Sequence, residues 1–286
     1  MDVPGKIDVH KKSQHYLRAL QTFEKNTALN ATDKTLILHF LRDCELGKTI
    51  KHRAKKKISH GRCHRLLDML VFACRHLKLP LHKVNQIQLE QFISDFEKDK
   101  FKRQDGARFS ESTRRYYKIG LRKFGTWMKE QGKANWDFSF LDTYETPIEI
   151  EALSREQVQK MVDLAPSPLL KLVIMGLFDS GARVEEFLNI RLKHLQKKDD
   201  YYQARIVVSK TKARTLSIPL TTKYLEDWLK AHPEKENQES PLIPLSYANL
   251  RKILQRYGRK SIGRPVNPHL LRHSSATYYC TKLNQY

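Results

Sequence analysis

Between residues 31 and 133 apolar positions recur at steps of three and four, the spacing that lines one face of a helix. Leu36, Ile37, Phe40 and Leu41 make the first such run, with Asp33 as candidate N-cap. Leu66, Leu67, Leu70, Val71, Cys74 and Leu77 make the second, which ends near Pro80. Ile87, Leu89, Phe92, Ile93 and Phe96 make the third. Ser110 caps the fourth, which carries Tyr117, Leu121, Phe124 and Met128. No strand pattern interrupts them, so 31–133 is expected to be a four-helix domain. Residues 1–30 show only weak periodicity and read as a mobile arm or a short docking helix. Residues 134–151, with Pro147 and no sustained period, read as a linker.

The rest, 152–286, mixes two periods. Ser154 and Gln157 form a capping box in front of a helix. A largely apolar helix runs from Pro168 to about Asp179 and breaks at Ser180-Gly181; another begins near Arg183 with Phe187, Leu188 and Ile190. Two β-branched runs, Ala204–Ser209 and Thr215–Leu220, flank Lys210–Arg214 and predict a hairpin. Helices follow over 223–231, 247–257 and from Pro268 onward. The expected fold class is therefore mainly α with a small β-hairpin or sheet, a helical domain followed by an α+β domain.

Composition narrows the partner. Lys and Arg number 53 against 31 Asp and Glu, a formal charge of +22 over 286 residues. Such an excess favours a polyanion, and nucleic acid is the commonest one. Arg114, Arg115, Lys118, Arg122 and Lys123, on or beside the polar side of the fourth helix, are candidate DNA contacts. Lys212 and Arg214 on the hairpin turn are others, and Lys51, Arg53 and Lys55–Lys57 form a further basic cluster. No apolar run approaches the ~20 residues of a spanning helix. The N-terminus has no apolar signal core, so a cytoplasmic chain without a membrane partner is expected. Cys44, Cys63, Cys74 and Cys280 are scattered, and His60, Cys63 and His64 have no further ligand at metal spacing. Neither metal nor other cofactor is expected.

Three motifs carry candidate chemistry. Arg183 stands where an apolar helix breaks and another starts, in reach of a phosphate lodged at that helix N-terminus, with Glu186 one turn on to orient it. In isolation the pair reads more simply as an exposed surface ion pair. Lys210, in Ser209-Lys210-Thr211, is a flexible ammonium on a turn, suited to protonating a leaving oxygen or simply solvated; Lys212 is the alternative. Asn267-Pro268 reads as an N-cap and N1 pair that puts His269 and Arg272 on one face of a helix start. There the helix dipole favours a neutral His269.

Taken in order, Ser180-Gly181-Ala182-Arg183, Ser209-Lys210-Thr211 and His269-Leu270-Leu271-Arg272-His273-Ser274 resemble the tyrosine recombinase family (phage integrase and Xer type), the last matching its H-x-x-R-H-S element. The resemblance implies a helical core-binding domain at 31–133 and the front part of a catalytic domain at 152–286. It implies that Arg183 and Arg272 clamp a scissile phosphate in double-stranded DNA, Lys210 is the general acid, His269 assists proton transfer, and a tyrosine forms a 3′-phosphotyrosyl bond without metal. It also implies a tetramer on two DNA sites, working at the nucleoid. The family's nucleophile lies a helix or more beyond H-x-x-R, and this chain ends at Tyr286. Tyr278, Tyr279 and Tyr286 are too near Arg272 to match it, so a truncated or tyrosine-less recombinase is expected, inactive in cleavage as it stands. A non-catalytic DNA-binding protein of the same fold is the alternative. A type IB topoisomerase shares the Arg–Lys–Arg set, but H-L-L-R-H-S and the all-helical first domain count against it.

Overall fold

The computed structural model describes residues 9–50, 56–103, 105–144, 149–207 and 213–283. Lys51, Arg53, Lys55, Pro147, Lys210, Lys212 and Tyr286 lie outside the described residues. The chain divides into two compact units, Lys11–Pro147 and Ile148–Tyr286 with Met1–His10.

The first unit is built from α1 (Lys12–Lys25), α2 (Ala31–Leu46), α3 (His60–Leu77), α4 (Gln86–Glu97) and α5 (Glu111–Glu130). The first helix corresponds to the docking-helix alternative for residues 1–30. It lacks a side-chain cap, and it buries only Tyr16 and Phe23, two turns apart, so its apolar signal is faint. His60 stacks on Tyr16 and its Nδ1 lies 2.9 Å from Ser13 Oγ, which seats α1 against α3.

The cap of α2 is Asn30, not Asp33: Asn30 Oδ1 accepts from the Asp33 amide at 2.8 Å. Asp33 is instead buried and accepts from the Leu81 amide at 2.8 Å, tying α2 to the turn after α3. A polar group withdrawn from water keeps its place only through such bonds. Ile87 also departs from expectation. The buried positions of α4 are Leu89, Phe92, Ile93 and Phe96, and Ile87 lies about 200° around the helix from Leu89, which leaves it 76% exposed.

Phe40, Phe124, Trp127 and Met128 form the centre of this core. Trp127 Nε1 donates to the buried Asp43 at 3.0 Å. Burial works against that carboxylate, but the indole N–H and the Lys48 ammonium outweigh it and hold its pKa below the ordinary value. The core does not stop at α5. Trp136, Phe138 and Leu141 are buried and Trp136 Nε1 donates to the Val84 carbonyl at 2.7 Å, so the segment expected as linker from 134 is core as far as Leu141.

The second unit holds α6 (Arg155–Asp163), α7 (Pro168–Ser180), the one-turn α8 (Val184–Phe187), β1 (Leu195–Lys197), β2 (Tyr202–Ile206), β3 (Arg214–Ser217), α9 (Thr222–Ala231), α10 (Tyr247–Ile262) and α11 (Pro268–Leu283). Ser154 and Gln157 close the expected capping box on α6. Every residue of α7 from Leu172 to Asp179 is buried, which explains its near-continuous apolar sequence. The strands form an antiparallel sheet in the order β1-β2-β3, with Leu195 opposite Ala204 and Ala204 opposite Leu216. The hairpin is thus the larger part of a three-stranded sheet; β1, three residues of mixed polarity, carries no strand signal of its own.

Two glycines of α5 test the packing. A Cβ on Gly120 would meet the flexible Met69 Cε at 2.8 Å, whereas one on Gly125 would meet the Phe138 ring at 2.2 Å. Alanine gains up to about 1 kcal/mol of helix propensity at either site. Gly120→Ala is expected to be near neutral and Gly125→Ala to destabilise by roughly 1–3 kcal/mol, the cost of overpacking. Urea unfolding of both variants checks this, and equal midpoints would show that Phe138 is not a core residue.

Candidate active site

The site is assembled where α7 ends. Gly181 takes φ +53°, the left-handed value that terminates the helix, and a Cβ there would lie 2.9 Å from Ser275 Oγ. Glycine therefore serves both the turn and the close approach of α11. Arg272, on α11, donates from Nη1 to the Gly181 carbonyl at 2.6 Å. Arg183 follows at the start of α8, two residues beyond the turn.

Glu186 binds the cluster together. Its side chain is 2% exposed, and Oε2 accepts from the Arg183 amide at 2.9 Å while Oε1 accepts from Arg183 Nη1 at 3.0 Å. Arg214, the first residue of β3, reaches the same carboxylate with Nη2 2.8 Å from Oε2 and Nη1 3.3 Å from Oε1. Burial above all, and repulsion from Arg183 and Arg214, lower the pKa of Arg272 against the pull of Glu186. A guanidinium stays charged through such a shift. Arg183 and Arg214 bond the Glu186 carboxylate, and Arg272 lies within electrostatic reach of all three. An arriving anion relieves that repulsion and meets planar donors matched to phosphate.

The expected residues fall as follows. Arg183, Glu186 and Arg272 come together, and Arg214, expected as a surface DNA contact, joins them. His269 is exposed on the first turn of α11, one turn from Arg272, and Asn267 Oδ1 caps that turn by accepting from the Leu270 amide at 2.9 Å. The helix opened by Arg183 is a single turn, so its dipole is short and the positive charge comes mainly from the side chains. Lys210 and Lys212 lie outside the described residues. On α5 each expected cation already holds a protein oxygen. Arg114 pairs with Asp99 at 2.7 Å and Lys118 with Glu97 at 2.7 Å. Arg115, Arg122 and Lys123 donate to the carbonyls of Thr143, Leu141 and Thr49.

Other residues of the site have no role assigned from sequence. Ser274 is fully buried; its Oγ accepts from the Leu153 amide and donates to the Leu270 carbonyl, both at 2.8 Å, pinning α11 to the start of the unit. Asp179 accepts from the Thr221 amide and hydroxyl, each at 2.8 Å, and from the Tyr279 hydroxyl. A carboxylate in the last turn of an otherwise apolar helix was the signal for it. On α10, Arg251, Lys252, Arg256, Arg259 and Lys260 are exposed in a helix without a single acidic residue.

Residues 151–282 match the phage integrase family. Tyrosine recombinase XerA of Saccharolobus solfataricus is 30% identical over 171 residues, covering 58% of this chain and 53% of the relative. XerA of Pyrococcus furiosus is 29% identical over 140 residues, 45% of this chain and 47% of the relative. The chain thus spans about half the length of the curated relatives it matches. Among solved structures, XerH recombinase bound to palindromic difH substrate in a post-cleavage complex superposes with TM-score 0.59 at 18% identity, over 91% of this chain and 88% of that one. A lambda integrase dimer bound to a COC′ core site gives 0.64 at 15% identity, over 86% and 70%. The shared fold is mostly helical with a small antiparallel sheet.

Burial raises the pKa of Asp179, against the hydrogen bonds from Tyr279 and Thr221. The folded state therefore binds this proton at higher pH than the unfolded chain, and stability is gained as pH falls through the raised value toward the ordinary ~3.9. Asp179→Asn keeps an acceptor for Thr221 and removes the titration. Its unfolding free energy is expected to rise less than that of wild type on acidification across that window, as measured by denaturant titration; parallel curves would refute it.

Proposed function

We propose that this chain, whose residues 151–282 belong to the phage integrase family, binds duplex DNA and belongs to a site-specific strand-exchange enzyme acting through a phosphotyrosyl intermediate. The observation that carries the proposal is that Arg183 and Arg214 both bond Glu186 while Arg272 bonds the Gly181 carbonyl two residues before Arg183. Arg183 and Arg272 hold the two non-bridging oxygens of one phosphodiester and stabilise the charge that grows on them in the pentacoordinate transition state. A tyrosine oxygen bonds to phosphorus as the bond to the 5′ oxygen breaks. Lys210 gives that oxygen its proton, and His269 helps remove the proton from the tyrosine. Arginine charge does the work that metals do elsewhere, and rejoining reverses the same steps with no external energy. Four protomers on two DNA sites at the nucleoid complete the reading.

Neither Tyr278 nor Tyr279 suits the role of nucleophile. The Tyr279 hydroxyl is committed to buried Asp179, and burial together with that bond pushes its pKa well up, away from the phenolate needed for attack. Tyr278 packs its ring against Phe178. This observation also favours a second reading, a DNA-binding protein that keeps the phosphate pocket without cutting. Covalent adduct formation on a nicked suicide duplex separates the two.

DNA contact in this proposal draws on the exposed cations of α10 together with Lys212 and the flanks of α5. No helix among the described residues is long and apolar enough to cross a membrane. If some six to ten phosphates are engaged, affinity should fall roughly 10³–10⁵-fold between about 50 and 200 mM salt. A flat salt response in gel-shift titration sinks the proposal. Where the protein forms an adduct, it should do so in EDTA, and Arg183→Ala or Arg272→Ala should slow cleavage on the order of 10²-fold or more. Binding should suffer far less, because many other cations hold the backbone. A requirement for Mg²⁺ would overturn the mechanism, and an adduct lost in Tyr279→Phe would overturn the assignment of that tyrosine.

A further inference from the structure

We propose that Arg214 is a positioning residue of the phosphate site, acting through Glu186 to leave the Arg183 guanidinium available to an anion. The inference rests on reading the arginine cluster as a phosphate site. Arg214 lies outside both motifs that mark the cluster, and in sequence it is one more cation of a basic turn. In the structure it begins β3, paired with Ile206 of β2. From that strand its two terminal nitrogens face the two oxygens of Glu186, at 2.8 and 3.3 Å. That is the parallel fork of a bidentate pair.

Arg183 meets the same carboxylate differently. One bond comes from its backbone amide and one from Nη1, at 2.9 and 3.0 Å. In that arrangement Nε and Nη2 of Arg183 stay outside the Glu186 contact and can serve a second anion. The carboxylate is 2% exposed, so water does little to screen it. Without Arg214 a larger share of its charge would act on the Arg183 guanidinium, which already bonds it. Arg183 would turn toward a full fork with Glu186, and the positive charge a phosphate meets would be cancelled. Arg214 prevents this by neutralising Glu186 from the sheet side. The contacts are therefore ordered: Arg214 forks onto Glu186, Glu186 fixes the backbone and one nitrogen of Arg183, and the remaining donors lie outside that contact on a side chain 36% exposed.

The distinction between neutralising a carboxylate and merely propping the fold has a readout. If neutralisation is the role, removing both charges together should restore what removing one destroys. The experiment is titration of inorganic phosphate against the full chain in low-chloride buffer, followed by ³¹P line broadening. The set is wild type, Arg183→Ala, Arg272→Ala, Arg214→Ala and Arg214→Ala/Glu186→Gln, with exposed Lys235→Ala measuring the effect of general charge. Arg183→Ala, Arg272→Ala and Arg214→Ala should each weaken binding roughly ten-fold or more, the size of a lost hydrogen bond between charged groups. The double variant should recover most of the Arg214→Ala loss. Where Arg214→Ala does not fold, Arg214→Gln, alone and with Glu186→Gln, carries the same comparison. Binding at the wild-type or Lys235→Ala level in the Arg214 variants overturns the proposal, and so does a double variant no better than the single. If Arg183→Ala and Arg272→Ala also leave binding unchanged, the phosphate-site reading itself fails.

Discussion

Glu186 keeps a negative charge almost wholly out of water, a state that costs several kcal/mol unless cations and donors compensate it on the spot. Arg183 and Arg214 supply that compensation from two different elements, α8 and β3, so the turn after α7 and the edge of the sheet are held in register by one carboxylate. The arrangement reverses the usual logic of an ion pair. Here the acid is the buried structural partner, and the arginines, each about a third exposed, keep part of their surface for solvent or ligand. A cluster of guanidiniums with no such carboxylate would fly apart by repulsion. One with a carboxylate for each would hold no net charge to offer. The observed imbalance leaves net positive charge on the cluster.

The second constraint is the seat of α11. Its register is fixed at three points: Arg272 on the Gly181 carbonyl, Ser274 on the Leu153 amide, and Tyr279 on Asp179. These fall at intervals of two and five residues along one helix, so translation along the axis breaks at least one of them. Position 181, whose carbonyl takes the Arg272 bond, requires glycine for reasons of its own. The backbone there turns left-handed, and α11 approaches to within the space a methyl group would need. Chemistry and chain reversal thus share one residue, which is why the sequence concentrates its signal in Ser180-Gly181-Ala182-Arg183.

How far the sequence was legible follows from what kind of interaction each feature uses. Helices α2 to α5 and α7 announce themselves because burial repeats along a single element, and the Ser110 and Ser154 caps because the donor and acceptor are three residues apart. Helix α1 was faint because two buried residues in fourteen carry little period. Asp33 was misread as a cap since its true partner, the Leu81 amide, is 48 positions away. Arg214 is the telling case. Its charge suggested DNA, yet its partner is a carboxylate 28 residues earlier, and only the fold of the sheet brings them together. The motif residues Arg183, Glu186 and Arg272 group through resemblance, whereas local pattern alone favours a surface pair for Arg183 and Glu186.

The same reasoning sorts the chain's excess of positive charge by range of action. On α5 the cations keep their charge while their donors are spent on Asp99, Glu97 and three backbone carbonyls, and burial lowers the pKa of Lys123. Such groups still contribute to the field felt by an approaching polyanion out to the screening length, about 8–10 Å at ordinary salt. They are poorly placed to wrap a phosphate, because a new contact would first have to break an internal bond that holds a loop. On α10 the cations are exposed and no carboxylate shares the helix, so contact with a phosphate displaces mainly water and counterions. Charge on the first helix therefore steers and stiffens, while charge on the second is available for contact. A count of +22 merges the two, and only hydrogen-bond accounting pulls them apart.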